Sequence, residues 1–112
     1  MNEPALIIAD IPFYETPSYI EGSPYWVDLW TDVNGYKIGL QVKPASYNSP
    51  NVAVYMGRSK SSEELGHKRF RTDFGGDVFI VTPKNGAVSS QMARRIKTYF
   101  DWLSKLPPKD SN

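Results

Sequence analysis

The dipeptide Asn34-Gly35 constrains the fold more than any other feature of the chain. Both residues accept the positive φ angles of a two-residue type I′ turn, and β-branched and aromatic residues flank them on either side. The stretch YWVDLWTDVNGYKIGLQVKP, residues 25–44, therefore predicts a hairpin of strands 25–33 and 36–43. With the turn fixed, Val33 pairs with Tyr36, Asp32 with Lys37, Trp30 with Gly39, Asp28 with Gln41 and Trp26 with Lys43. Side chains alternate between the faces of a strand. Tyr25, Val27, Leu29, Thr31, Val33, Tyr36, Ile38, Leu40 and Val42 then form a mainly apolar face. Trp26, Asp28, Trp30, Asp32, Lys37, Gly39, Gln41 and Lys43 occupy the other. A slip of one residue would expose the apolar set, so this register is well specified.

The remaining elements follow from local signals. Prolines at 4, 12, 17 and 24 preclude a long helix, which leaves a short strand over 5–9 and then an irregular acidic arm. Residues 45–50 read as a loop and 51–55 as a short extended piece. Ser61 and Glu64 have capping-box spacing, which starts a helix over 61–74, weakened at Gly66 and ended by Gly75-Gly76. The apolar run in residues 77–82 reads as a buried strand. Met92, Ile96, Phe100, Leu103 and Leu106 recur at helical spacing, with Ser89 or Ser90 as N-cap, giving a helix over 89–106. Pro107-Pro108 ends it, and the tail beyond is expected to fray. The expected fold is α/β: a mixed sheet with a central β-hairpin, flanked by helices that cover its apolar face. One domain fills residues 1–112, with an irregular acidic arm at 1–24, a core at 25–106 and a frayed tail at 107–112.

Composition narrows the chemistry. The chain has no cysteine and one histidine, which excludes disulfides, iron–sulfur clusters, zinc fingers and cysteine nucleophiles. No apolar run approaches the roughly 20 residues of a membrane-spanning helix. The acidic start, broken at Pro12, is unlike a secretion signal, so no membrane partner and a cytoplasmic location are expected. The net charge of +1 hides an asymmetry. Residues 1–35 carry Glu3, Asp10, Glu15, Glu21, Asp28 and Asp32 and no lysine or arginine, whereas all 13 lysines and arginines follow. Such a division accompanies polyanion binding, and two surfaces of different composition explain it equally well.

Asp28, Gln41 and Lys43 share one face of the expected hairpin. An aspartate and an amide oxygen can share a hard cation such as Mg²⁺, which takes oxygen ligands and keeps several waters, and the Val42 carbonyl could add another oxygen. The Lys43 ammonium would point toward the same pocket and hold a water or a phosphate oxygen. A metal beside a lysine suits phosphodiester hydrolysis. The plain alternative is a solvated sheet face. Trp26 and Trp30 on that face, and the room beside Gly39, argue for something that approaches it.

An Asp in one strand, a hairpin, and then GLQVK before a proline resembles the PD-(D/E)xK nuclease superfamily in its Gln variant. The order GYKIGLQVKP, extended stretch, basic helix, FGGDVFIVT and amphipathic helix is most similar to MjaI-type type II restriction endonucleases. The resemblance implies a restriction-endonuclease-like fold and a Mg²⁺-dependent DNA endonuclease, either such an enzyme or its minimal catalytic core. It implies Asp28 as metal-binding aspartate, Gln41 at the acid position and Lys43 as catalytic lysine. Val27 stands where a proline is usual, and the neutral Gln41 leaves one carboxylate, for which Glu21 is a substitute. Double-stranded DNA, a homodimer cutting one strand per subunit, and the cytoplasm of a prokaryote or its virus go with it.

Arg58, Lys60, Lys68, Arg69 and Arg71, with His67, would line a phosphate backbone, and Asn48 in the polar run Tyr47, Asn48, Ser49, Asn51 could touch DNA. A solvated helix face and a polar turn explain these residues as well. Arg94, Arg95 and Lys97 read as plain surface, and His67 as a polar surface residue. Trp26 and Trp30 either stack on bases or lie under the arm 1–24, the latter being favoured. The competing function is a non-catalytic nucleic-acid-binding or interaction module on the same fold, which the neutral Gln41 favours.

Overall fold

The computed structural model describes residues 3–20, 24–44 and 57–109, the side chains of 57–61 excepted. Its order is β1 (Leu6–Ile8), β2 (Ile11–Glu15), β3 (Leu29–Val33), β4 (Tyr36–Val42), α1 (Gly57–Phe74), β5 (Val78–Val81) and α2 (Ser90–Ser104). The strands form one five-stranded sheet in sequential order. All neighbours are antiparallel except β4 and β5, which run parallel, as strands joined through a helix do. Among the described residues the chain is thus α/β, with a mixed sheet and two helices.

The central hairpin has the expected register, with Val33 opposite Tyr36, Asp32 opposite Lys37 and Trp30 opposite Gly39. Asn34 and Gly35 take φ of 60° and 91°, as a type I′ turn requires. The first strand, however, begins at Leu29 and not at residue 25. Trp26 has φ of 60°, outside the extended region, so alternation stops counting there. Val27 consequently leaves the face of Leu29 and packs with Ile20 and Phe70.

Residues 5–15 are no irregular arm. They form a hairpin of β1 and β2 that extends the sheet, with Ile7 opposite Pro12. Leu6, Ile8, Ile11 and Phe13 enter the main core, which explains why a proline-rich segment is held so well.

Both faces of the sheet are covered, not the apolar one alone. Leu29, Val33, Ile38, Leu40 and Val81 meet Ile96 and Leu103 of α2. Ser89 caps that helix, its hydroxyl oxygen accepting the Met92 N–H at 3.2 Å. The opposite face carries Trp30, Val78 and Val27 under Phe70 and Phe74 of α1. Phe74 lies edge-on to Trp30, 5.6 Å between centroids, so α1 covers this tryptophan in a cluster that Ile20 of the N-terminal segment also joins. The space at Gly39 is likewise filled from within: a methyl group there would stand 3.0 Å from Val27 Cγ1 and 3.2 Å from Phe70 Cζ.

α1 starts at Gly57, ahead of Ser61, and turns Glu63, Gly66, His67 and Phe70 inward, all buried. The helix continues through Gly66, which permits a close contact. A methyl group there would collide with the Pro24 carbonyl and come within 2.6 Å of Trp26 Cδ1. The tail expected to fray is pinned over residues 107–109. The Tyr36 hydroxyl donates to the Pro107 carbonyl at 2.9 Å, and the Lys109 N–H to the Asn34 carbonyl at 3.0 Å. Among the described residues, no helix is long and apolar enough to cross a membrane.

Candidate functional site

Gln41 and Lys43 stand at the carboxyl ends of the two parallel strands. Ladder bonding continues one residue past β4, since the Lys43 N–H donates to the Val81 carbonyl at 2.9 Å. Alternation therefore holds from Gly39 through Gln41 to Lys43, and all three face α1. The Lys43 ammonium meets the Glu63 carboxylate, Nζ to Oε2, at 2.8 Å. Their side chains retain 13% and 6% exposure, so the pair is screened little by solvent. Gln41 is buried, and its Oε1 and the Glu63 Oε1 accept no hydrogen bond from the described residues. Buried polar atoms are paired in the great majority of cases, which sets these two oxygens apart.

His67, one turn after Glu63, completes the polar lining of α1. It is buried, not superficial, and its Nε2 lies 3.4 Å from the Trp26 carbonyl. Burial holds its pKa below the usual histidine value, against the smaller opposing pull of the Trp26 carbonyl and the Glu63 charge.

Asp28 is differently placed. Its N–H donates to the Leu40 carbonyl at 2.8 Å, and its Oδ2 accepts the Val42 N–H at 2.8 Å. Its own carbonyl takes the Thr16 N–H at 3.1 Å. The carboxylate thus substitutes for a strand carbonyl where β3 leaves the ladder. It opens into a cleft of about 340 Å³ lined by Glu15, Thr16, Leu29 and Val42. Neither Gln41 nor Lys43 is among the described residues that line that cleft. The pairing of β3 with β4 ends at Leu29 opposite Leu40, so Asp28 and Gln41 do not form the expected strand pair, and the Asp28 carboxylate reaches the Val42 N–H instead.

Lys68, Arg69 and Arg71 lie exposed on α1. Arg71 is paired with Asp77 at 3.2 Å. Arg94, Arg95 and Lys97 are exposed, as expected, and Lys97 bonds Asp101 at 2.7 Å. Glu21, Asn48, Tyr47, Ser49, Asn51 and the segment 51–55, and the side chains of Arg58, Lys60 and Ser61, lie outside the described residues.

Glu63 and His67 are the residues that sequence reasoning missed in this role. The signal was the inward stripe of Glu63, Gly66, His67 and Phe70, at spacing i, i+3, i+4 and i+7. No group of three or more histidines and acids that could hold a metal occurs among the described residues. The buried side-chain oxygens without a partner among the described residues are those of Gln41 and Glu63. Comparison of the chain with protein-family models, with curated proteins and with solved structures finds no match.

Proposed function

We propose that the chain is a Mg²⁺-dependent DNA endonuclease of restriction type, or its catalytic core, built on a restriction-endonuclease-like sheet. What carries the reading is the little-exposed Lys43 ammonium on the face of β4 that also holds the buried Gln41, at the carboxyl end of β4 beside its parallel neighbour β5, where α/β proteins hold their ligands. The residues that would hold the metal are Gln41 and Asp28, with the Val42 carbonyl and Glu21 as the further oxygens of the sequence-based expectation. Bound there, Mg²⁺ would supply positive charge against the phosphate and a more acidic water. Lys43 would offset negative charge that builds on a phosphodiester during attack. Glu63 fixes the direction of that ammonium. The exposed Lys68, Arg69 and Arg71 add sequence-independent attraction to the duplex. A homodimer acting in a prokaryotic or viral cytoplasm belongs to the same proposal.

One observation favours the second reading, a non-catalytic nucleic-acid-binding or interaction module. The Asp28 carboxylate is committed to the Val42 N–H, in a cleft apart from Gln41 and Lys43. Plasmid cleavage with Mg²⁺ and with chelator, for the parent and Asp28→Asn, separates the two. The nuclease predicts Mg²⁺-dependent nicking that Asp28→Asn loses. DNA binding without nicking would leave the module.

A further inference from the structure

On the side of the sheet away from Lys43, α2 and β5 flank an open groove of about 540 Å³. Phe79, Arg94, Arg95, Thr98, Tyr99 and Trp102 line it. β5 is the last strand of the sheet order, and Phe79 packs against the main core that α2 covers. The floor is aromatic and held in place. Phe79 and Tyr99 meet edge to face with centroids 5.7 Å apart, and Trp102 stacks on Tyr99 at 5.6 Å and 28°. The Tyr99 hydroxyl accepts the Asp77 N–H at 3.1 Å, which locks the middle ring. Trp102 is still 54% exposed, the largest apolar side chain that faces solvent among the described residues. One exposed ring needs no explanation, whereas three joined rings beside two cations form a patch of the kind that marks binding sites.

The charge on this patch is of one sign. The Arg95 guanidinium lies 5.8 Å over the Phe79 ring. Neither Arg94 nor Arg95 has an ion-pair partner among the described residues, and none of the described residues lining the groove is acidic. The acids nearby are engaged elsewhere, Asp77 with Arg71 and Asp101 with Lys97. Flat rings with unbalanced guanidiniums fit a ligand that joins flat faces to anions. A nucleic-acid strand with unpaired bases has both, while a duplex keeps its bases stacked on one another and an acidic peptide offers few flat faces. From Arg94 to Trp102 the helix runs about 12 Å, the length of roughly three bases spaced about 3.4 Å apart.

We infer that this groove binds single-stranded nucleic acid, with a base stacked on Trp102 and phosphates held by Arg94 and Arg95. Gln41 and Lys43 face the other side of the sheet, so this ligand is independent of the nuclease reading.

Fluorescence anisotropy of a labelled short oligothymidylate, titrated with the full chain in chelator so that no cleavage enters, tests this directly. Trp102→Ala is expected to weaken binding at least about fivefold, and Trp102→Phe to keep most of the affinity. Arg94→Gln and Arg95→Gln should each lower the slope of log affinity against log salt by about 0.7. A duplex of the same length is expected to be indifferent to Trp102→Ala, and one that loses as much as the single strand overturns the need for unpaired bases. Parental oligothymidylate affinity in Trp102→Ala overturns the inference. So does a polyglutamate of matched charge that competes equally well, which makes the groove an acidic-peptide site. Should Trp102→Ala fail to fold, Arg94→Gln decides: parental affinity and salt slope overturn the inference, and a loss of both upholds it.

Discussion

Lys43 and Glu63, twenty residues apart in the chain, meet at 2.8 Å where α1 lies against the end of β4. The contact ties the end of the central hairpin to the helix that covers it. Breaking a buried pair by removing one partner leaves an uncompensated charge and costs about 3–5 kcal/mol. Lys43→Ala is therefore expected to lower stability by about that amount in urea unfolding. The double variant with Glu63→Gln should recover much of the loss, because no buried charge is then left alone. Strictly additive effects in this double-mutant cycle would show that the two groups do not interact in solution. Because Lys43→Ala also disturbs the fold, its loss of nicking counts as mechanistic only where the variant is shown to be folded at the assay temperature.

The metal reading makes a separate demand on Gln41 and Asp28. Gln41→Glu adds a carboxylate at constant shape, so nicking should persist and its Mg²⁺ optimum should move to lower concentration. Asp28→Asn keeps an acceptor oxygen for the Val42 N–H and so spares the strand end, while removing charge. Its Mg²⁺ requirement should rise sharply. A Mg²⁺ titration of plasmid nicking that is the same for parent and both variants would place no metal between β3 and β4.

Gly66 offers a test of packing alone. In an open helix, glycine to alanine stabilises by about 1 kcal/mol. At Gly66 the added methyl group meets the Pro24 carbonyl and Trp26 Cδ1, so the sign should reverse. Gly66→Ala is expected to cost about 1–3 kcal/mol, the usual penalty of overpacking. Thermal unfolding with a raised melting temperature would show that α1 does not approach residues 24–26 so closely.

The pH dependence of stability follows from His67. Its pKa lies below the ordinary 6.5, chiefly because burial disfavours the charged ring. Between the two values the unfolded chain binds more protons than the folded one, so stability falls as pH drops from about 6.5 and levels off below the folded value. Glu63, Arg71 and Lys43 also act on this ring, the first raising its pKa and the other two lowering it. His67→Gln should flatten the contribution, which urea midpoints between pH 5 and 7.5 would reveal. An identical slope in parent and variant would assign the effect to another group.

Local chemistry decided whatever depends on a few adjacent residues. The Asn34-Gly35 turn set the register of β3 and β4, the apolar run gave β5, and Ser89 with the periodic Met92, Ile96 and Leu103 gave α2. These elements were legible because turn type, alternation and helical period act within one segment. The faces of the sheet were legible only where the backbone stays extended. At Trp26 the positive φ, which costs of order 1–3 kcal/mol and needs tertiary support, breaks the count and sends Val27 to the other side.

Only the tertiary structure decided that the polar face is covered by α1, that residues 5–15 join the sheet, and that residues 107–109 bind the hairpin turn. Each rests on contacts between segments far apart in sequence, and the energy of such contacts has no local signature. The same holds for the candidate site. Gln41 and Lys43 could be placed on one face from the hairpin alone, whereas Glu63 and His67 join them only because Gly66 lets a helix from elsewhere in the chain lie close against residues 24–26.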